Sequence, residues 1–281
     1  MVRFRALLLM SLALAGPWPL QGRGAAEARS GGRLLLKSAS ALVLDQTTGQ
    51  AIYEKDAGTP LPIASLTKLM TAMVLLDAGL DLQEPITITS DDKDTLRFSK
   101  SRLPVGTRLP REQALLLALL ASENRAAHAL GRTYPGGLDA FVQAMNRKAG
   151  SLGLSGARFE DPAGLSSGNI ATARDLARIM DAAYHYPLIR DYSTRPETTV
   201  HSGRRSIQFP NTNALVRNPR WSIGLSKTGY IQEAGRCLAM QAMLANRPVV
   251  IILLDSWGKY TRLGDANRIK QWMEARLSAG R

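Results

Sequence analysis

The sequence predicts an α/β fold of the α+β type: an antiparallel sheet built from both chain ends, flanked by helices, with an inserted, mainly helical subdomain. Two observations carry this. Short runs with strand character stand near both ends of the 281 residues, and the middle holds apolar segments of helical length between Pro and Gly breaks. A third is negative: no repeat, low-complexity tract or linker divides the chain. One domain over residues 29–281 is expected, with sheet from 34–63 and 196–281 and the helical part from 64–195.

Residues 1–28 read as a signal peptide. Arg3 and Arg5 precede an apolar run over 6–16 that is too short for a stable bilayer anchor, and Ala26-Glu27-Ala28 offers small residues at cleavage-site spacing. The mature chain should therefore be exported, without a stable membrane anchor.

Residues 34–45 and 50–54 read as strands joined by the turn Gln46-Thr47-Thr48-Gly49. After Pro60 and Pro62 the pattern changes. Residues 64–78 form one continuous helix candidate, apolar on most sides, as a buried central helix would be. Further helices are expected over 111–120, 125–132, 138–152 and 172–184, the last with Thr172 as N-cap and Asp175 in its first turn. Residues 221–230, 236–244 and 249–254 read as strands, and 266–277 as a closing helix. The segment Asp91-Asp92-Lys93-Asp94 is expected to be a solvated loop.

Composition narrows the function. The net charge is +13, and removing the leader's Arg3, Arg5, Arg23 and Glu27 leaves +11. A basic surface attracts polyanions. Its cations are scattered and only 6% of residues are aromatic, so nucleic acid is not the expected partner; an acidic wall polymer suits an exported chain better. The single cysteine, Cys237, stands in an apolar stretch and reads as a buried filler. Three dispersed histidines suggest no metal site.

Three short motifs carry chemistry. In Ser65-Leu66-Thr67-Lys68, a three-residue separation puts hydroxyl and amine on one face near a helix start, where the unpaired N–H groups favour negative charge. A lysine buried in an apolar helix loses solvation and becomes a usable base. Ser122-Glu123-Asn124 stands at a helix junction, and Lys227-Thr228-Gly229 in a late strand, where Gly would let a ligand backbone approach. Singly, each has an ordinary structural explanation: a cap, a turn, a strand end.

Together and in this order, they resemble the signature of penicillin-binding proteins and serine β-lactamases. The whole mature chain resembles the low-molecular-mass D-alanyl-D-alanine peptidases, and within them the periplasmic D-alanyl-D-alanine endopeptidases. The stretches that carry this include Pro62-Ile63-Ala64-Ser65-Leu66-Thr67-Lys68, Thr172-Ala173-Arg174-Asp175-Leu176, Pro210-Asn211-Thr212-Asn213, Leu225-Ser226-Lys227-Thr228-Gly229-Tyr230 and Gly258-Lys259-Tyr260. The resemblance implies Ser65 as nucleophile and Lys68 as its base. Ser122 would relay a proton, Asn124 would hold the substrate amide and Lys68, and Lys227 would keep Lys68 neutral. For the substrate, Thr228 and Arg262 would bind its carboxylate beside Gly229, and the N–H groups of Ser65 and Tyr230 would form the oxyanion hole. It further implies cross-linked peptidoglycan peptides as substrate, β-lactams as acylating inhibitors, and no metal or organic cofactor. Carboxypeptidase, serine β-lactamase and non-catalytic wall-binding protein are the rival expectations. Glu160-Asp161-Pro162-Ala163-Gly164 lacks the Glu-to-Asn spacing of the best-known lactamase class.

Overall fold

The computed structural model describes residues 33–203 and 205–279; the expected signal peptide, residues 1–28, lies outside them. Along the chain, β1 (Ser40–Asp45) and β2 (Ala51–Lys55) form the N-terminal hairpin. Its turn is held by Asp45, whose Oδ1 accepts from the N–H groups of Thr47 (2.9 Å) and Thr48 (3.1 Å). Then β3 (Leu61–Pro62) leads through a 3-10 turn over Ala64–Thr67 into α1 (Lys68–Asp77). The short strands β4 (Pro85–Thr87) and β5 (Arg108–Pro110) pair with each other. Next come α2 (Arg111–Leu120), α3 (Asn124–Arg132) and α4 (Gly137–Ser151). β6 (Ile170–Ala171) pairs back onto β3 and is followed by α5 (Ala173–Tyr184) and α6 (Pro187–Thr194). A hairpin of β7 (Glu197–Ser202) and β8 (Arg205–Pro210) precedes β9 (Ser222–Ile231), β10 (Gly235–Leu244), β11 (Arg247–Ser256) and α7 (Thr261–Ala279).

Both chain ends meet in one sheet, as the sequence predicts. Among the described residues it is five-stranded and antiparallel, in the order β2-β1-β11-β10-β9. Its inner strands are buried on both faces, which explains why β11 is a nearly unbroken apolar run instead of an alternating one. Successive residues divide between two cores. Leu42, Ala239, Val250, Ile252 and Leu254 pack with the helical body, whereas Ala41, Val43, Leu238, Met240, Ile251 and Leu253 pack with Ala266, Ile269 and Met273 of α7. That leaves β9 as the edge strand facing the helical body.

Within that body α1 is central, and every residue from Lys68 to Leu75 is buried. α5 starts at the expected cap: Thr172 Oγ1 accepts from Asp175 N (2.9 Å) while Asp175 Oδ2 accepts from Thr172 N (3.1 Å). No helix among the described residues is long and apolar enough to cross a membrane.

Three local expectations change. Only Ser40–Asp45 of residues 34–45 joins the sheet, because the N–H groups of Lys37 and Ser38 are taken by the buried carboxylate of Asp265 (3.0 and 2.7 Å). The β7–β8 ribbon stays outside the main sheet; only Val200 and Phe209 on it are buried, too little apolar surface for an inner strand. Asp92 is not solvated. It is 2% exposed and accepts from Arg132 Nη2 (2.8 Å) and Nε (3.0 Å), with His128 Nδ1 at 2.8 Å. Those partners sit four residues apart on α3, so one face of that helix grips the loop.

Burial works against the Asp92 carboxylate, but hydrogen bonds from His128, Arg132 and Thr89 outweigh it and hold its pKa at about 2. A depressed carboxylate pKa contributes stability that is complete above the unfolded value, near 3.9, and is lost as pH falls through the folded value. Asp92→Asn should therefore lose about 2 kcal/mol at pH 7 and show a flatter stability curve than wild type between about pH 4 and pH 2. Urea melts across that range measure it; parallel curves for the two proteins would refute the assignment.

Candidate active site

Ser65 does not lie on regular α-helix. α1 starts only at Lys68, and Ser65 occupies the 3-10 turn before it, because Ala64 takes a left-handed conformation (φ +48°) as the chain bends out of β3. Thr67 Oγ1 donates to Ala64 O (2.7 Å) and secures that turn. Side chains three apart eclipse in a 3-10 turn, so the motif spacing still brings hydroxyl and amine together. Lys68 Nζ donates to Ser65 Oγ (2.8 Å), to Asn124 Oδ1 (2.8 Å) and to the carbonyl of Ala163.

All three N–H directions of Lys68 are thus used, and none ends on a carboxylate. The side chain is 0% exposed. Desolvation pushes its pKa down to about 7, against weaker upward pulls from Asp161, Glu123 and Asp94. An amine half neutral near pH 7, at hydrogen-bond distance from a hydroxyl, is an activated nucleophile–base pair.

The second motif enters at the α2–α3 junction. Ser122 also has positive φ (+58°), a conformation costing a non-glycine residue of order 1 kcal/mol. Its Oγ accepts from Lys227 Nζ at 2.8 Å. The middle residue, Glu123, serves α3: its Oε1 accepts from Arg125 N (3.2 Å) and Ser101 Oγ (2.6 Å). Asn124 Nδ2 donates to Ser99 Oγ (3.0 Å), which fixes the amide so that its oxygen faces Lys68.

The third motif lies on edge strand β9. Lys227 is buried and also donates to Thr228 O (2.9 Å). Burial first, then the charges of Lys68 and Arg262, push its pKa well below the ordinary lysine value. Thr228 Oγ1 donates to Thr212 Oγ1 (2.7 Å). Gly229 has a different neighbour from the one the sequence suggests: a Cβ there would stand 2.9 Å from Ile63 O and 3.1 Å from Ser65 N, so glycine lets β9 press against the Ser65 turn itself. The Tyr230 ring is exposed, so what this residue can offer the cleft is its backbone. Arg262 Nη1 is 3.5 Å from Gly229 O, and its buried Nε has no protein partner among the described residues. Burial, with Arg236 nearby, lowers its pKa. The nine predicted site residues are thus gathered where β9 packs against the Ser65 turn and meets the α2–α3 junction through Lys227 and Ser122. Cys237, opposite Gly229 on β10, is buried, its thiol pushed up to about 12 by desolvation.

Sequence reasoning missed the wall opposite β9. Asp161 Oδ1 accepts from the N–H groups of Ala163 and Gly164 (both 2.7 Å), its Oδ2 accepts from Ser166 N (2.8 Å), and Thr71 Oγ1 donates to Pro162 O (2.7 Å). Together these aim the Ala163 carbonyl at Lys68. Gly164 (φ +79°) lies so close to the Ser65 turn that a Cβ would fall 2.0 Å from Ala64 O. Gly164→Ala should displace that turn and slow acylation of Ser65 by a fluorescent penicillin about a hundredfold, while the far-UV circular dichroism stays native. Labelling at the wild-type rate would remove Gly164 from this role.

Comparison with known proteins agrees with this geometry. A family described as D-alanyl-D-alanine carboxypeptidase matches residues 27–257. A D-alanyl-D-alanine endopeptidase of Pseudomonas aeruginosa is 47% identical over 85% of this chain and 78% of its own length. One from Escherichia coli is 41% identical over 98% and 90%. Among solved structures, a Streptomyces DD-transpeptidase superimposes with a TM-score of 0.79 at 28% identity, covering 86% of this chain and 98% of that one. A penicillin-binding protein from Listeria monocytogenes in its cefotaxime-bound form gives 0.75 at 26% identity, covering 87% and 98%. A match over most of the chain, with these relatives, places the protein in the D-alanyl-D-alanine carboxypeptidase family of serine peptidases.

Proposed function

We propose that this chain is a periplasmic serine D-alanyl-D-alanine endopeptidase that opens D-alanyl-diamino acid cross-links in peptidoglycan. The observation that carries the chemistry is the buried Lys68 amine, 2.8 Å from Ser65 Oγ and with a pKa near neutrality. The choice of endopeptidase over carboxypeptidase rests on the two relatives above 40% identity, both named endopeptidases.

In this reading, neutral Lys68 takes the Ser65 hydroxyl proton as Oγ attacks the D-alanyl carbonyl carbon. The oxyanion of the tetrahedral intermediate is held by the N–H groups of Ser65 and Tyr230. Collapse breaks the C–N bond, and the leaving amine receives a proton relayed through Ser122, whose Oγ faces Lys227. Asn124 keeps Lys68 aligned and has amide capacity for the substrate. The substrate's terminal carboxylate is met by Thr228 and the guanidinium of Arg262, with Lys227 adding positive potential. Water, deprotonated by Lys68, then attacks the ester, and the proton returns to Ser65 Oγ. A β-lactam enters by the same attack and leaves Ser65 acylated.

Two measurements test this. Mature protein incubated with cross-linked muropeptide dimers and monomeric pentapeptides should convert dimers to monomers, by mass spectrometry, and Ser65→Ala should not. Release of D-alanine from pentapeptides alone would make the enzyme a carboxypeptidase, and attack on neither would favour a binding protein. Because the reactive form of Lys68 is the neutral one, the second-order rate of penicillin acylation should rise about tenfold from pH 6 to pH 8, through one ionisation near 7. A flat profile would exclude Lys68 as the base.

A further inference from the structure

One end of the main sheet carries exposed aromatic and basic side chains that the chemistry above leaves unused. Tyr230 on β9 pairs with Arg236 on β10, which pairs in turn with Ser256 on β11. Ser256 is itself buried, so the accessible pair is Tyr230 and the half-buried Arg236, and the register places the start of the following loop two strands, about 10 Å, from Tyr230. The Arg236 guanidinium lies over the Tyr230 ring, 4.5 Å from its centroid. Directly after β11 comes Trp257, 81% exposed; Tyr260 is 67% exposed, and the Lys259 ammonium lies 5.3 Å from its ring centroid. Two residues later Arg262 returns to Gly229. The loop over residues 257–260 thus leaves the sheet from β11 and is tied back to β9 through Arg262, while its rings face solvent.

Aromatic surface displayed this openly, and grouped, marks a recognition site more often than chance. The alternation of ring and cation identifies the ligand class. Flat aromatic faces accept the apolar C–H faces of sugar rings, and flanking cations draw carboxylates. An anionic saccharide offers both features. A lipid surface would instead select a continuous apolar face, whereas the rings here are interleaved with charge. Tyr230 directly follows Thr228 and Gly229 on edge strand β9, so an occupant here would lie beside a peptide held at Ser65 and Thr228, as the saccharide carrying that peptide does.

We propose that Tyr230, Arg236, Trp257, Lys259 and Tyr260 form a glycan subsite, which holds the anionic saccharide strand bearing the peptide while Ser65 acts on its cross-link. The proposal rests on the peptidoglycan peptidase reading and assigns the substrate's polymer a place on the same molecule. It makes the enzyme prefer intact wall to free peptides.

The test uses mature protein with Trp257→Ala and Tyr260→Ala combined, and Trp257→Phe as the conservative control. The double variant should cleave sugar-free cross-linked peptide dimers within about twofold of wild type, since neither residue touches the reacting atoms. On intact sacculi its rate should fall about tenfold, and its retention on immobilised peptide-free glycan strands should fall as much. Trp257→Phe should keep most of both, and added salt should weaken wild-type retention. Unchanged sacculus cleavage and glycan retention in the double variant would overturn the proposal, as would equal losses on free dimers and on sacculi. Wild-type retention on phosphatidylglycerol vesicles but not on glycan would overturn it in favour of a lipid surface. If wild type cuts no peptide dimer, the peptidase reading fails, while glycan retention and its loss in the double variant still report on the ridge alone.

Discussion

The site is organised by a lysine that is wholly buried without a carboxylate beside it. Taking an ammonium out of water costs several kcal/mol unless its protons are met, and the cost falls as the group becomes neutral. Lys68 has three oxygen partners from three separated segments, Ser65, Asn124 and Ala163, none of them formally charged. That is enough to hold the amine in place and too little to keep it fully protonated. A carboxylate in place of the Ala163 carbonyl would hold it more tightly and raise its pKa, so tighter binding of Lys68 and its use as a base are opposed requirements. The surrounding structure supplies neutral acceptors and places them accurately. Asp161 fixes the Ala163 turn, Ser99 fixes the Asn124 amide, and the Asp92 grip on α3 stands behind the loop that brings Ser99 there.

The same placement requires backbone strain. Ala64 and Ser122 both adopt left-handed conformations, and each adjoins or belongs to a motif. Strain of this kind persists where neighbours over-determine it. Here Ala64 is enclosed by the turn hydrogen bond from Thr67, by Gly164 on one side and by Gly229 on the other. Two glycines from distant parts of the chain thus leave space for one reactive turn, and either side chain would need the position Ser65 depends on.

Much of this was legible in the sequence, for definite reasons. The contact between Ser65 and Lys68 follows from a three-residue separation in any helical turn, so it survives the replacement of the expected α-helix by a 3-10 turn. The strand over 249–254 and the Thr172 cap of α5 likewise follow from local pattern. What stayed hidden depends on distance. Ala163 contributes a backbone carbonyl, which leaves no mark in residue type, although Asp161-Pro162-Ala163-Gly164 reads plainly as a turn. Asp92 sits among carboxylates and a lysine and looks solvated; its partners on α3 are 36 and 40 residues further on. Strands as short as β3–β6 and the eight-residue α6 fall below the length at which periodicity can be recognised.

Register then decides whether the motifs meet at all. In a strand, a one-residue slip exchanges the faces, which would turn Lys227 away from Ser122 and bring Ser226 into the cleft. Gly229 opposes this, because a slip would bring a side chain against the Ser65 turn. Ser226 opposes it as well: its N–H donates to Ser193 Oγ (3.2 Å) and its Oγ accepts from Asn213 Nδ2 (2.8 Å), while Asn211 Nδ2 donates to Ser193 O (2.9 Å). At the start of the strand, Leu225 faces Gln241 but Ile223 faces Ala242, a bulge at Gly224, where a Cβ would fall 2.2 Å from Gln241 Oε1. A buried polar network on one side and a bulge on the other thus admit a single alignment of β9, since any slip would leave the network's donors unpaired inside the protein. Asn211 and Asn213, which belong to none of the three motifs, are therefore as necessary to the geometry of the site as the lysine whose position they secure.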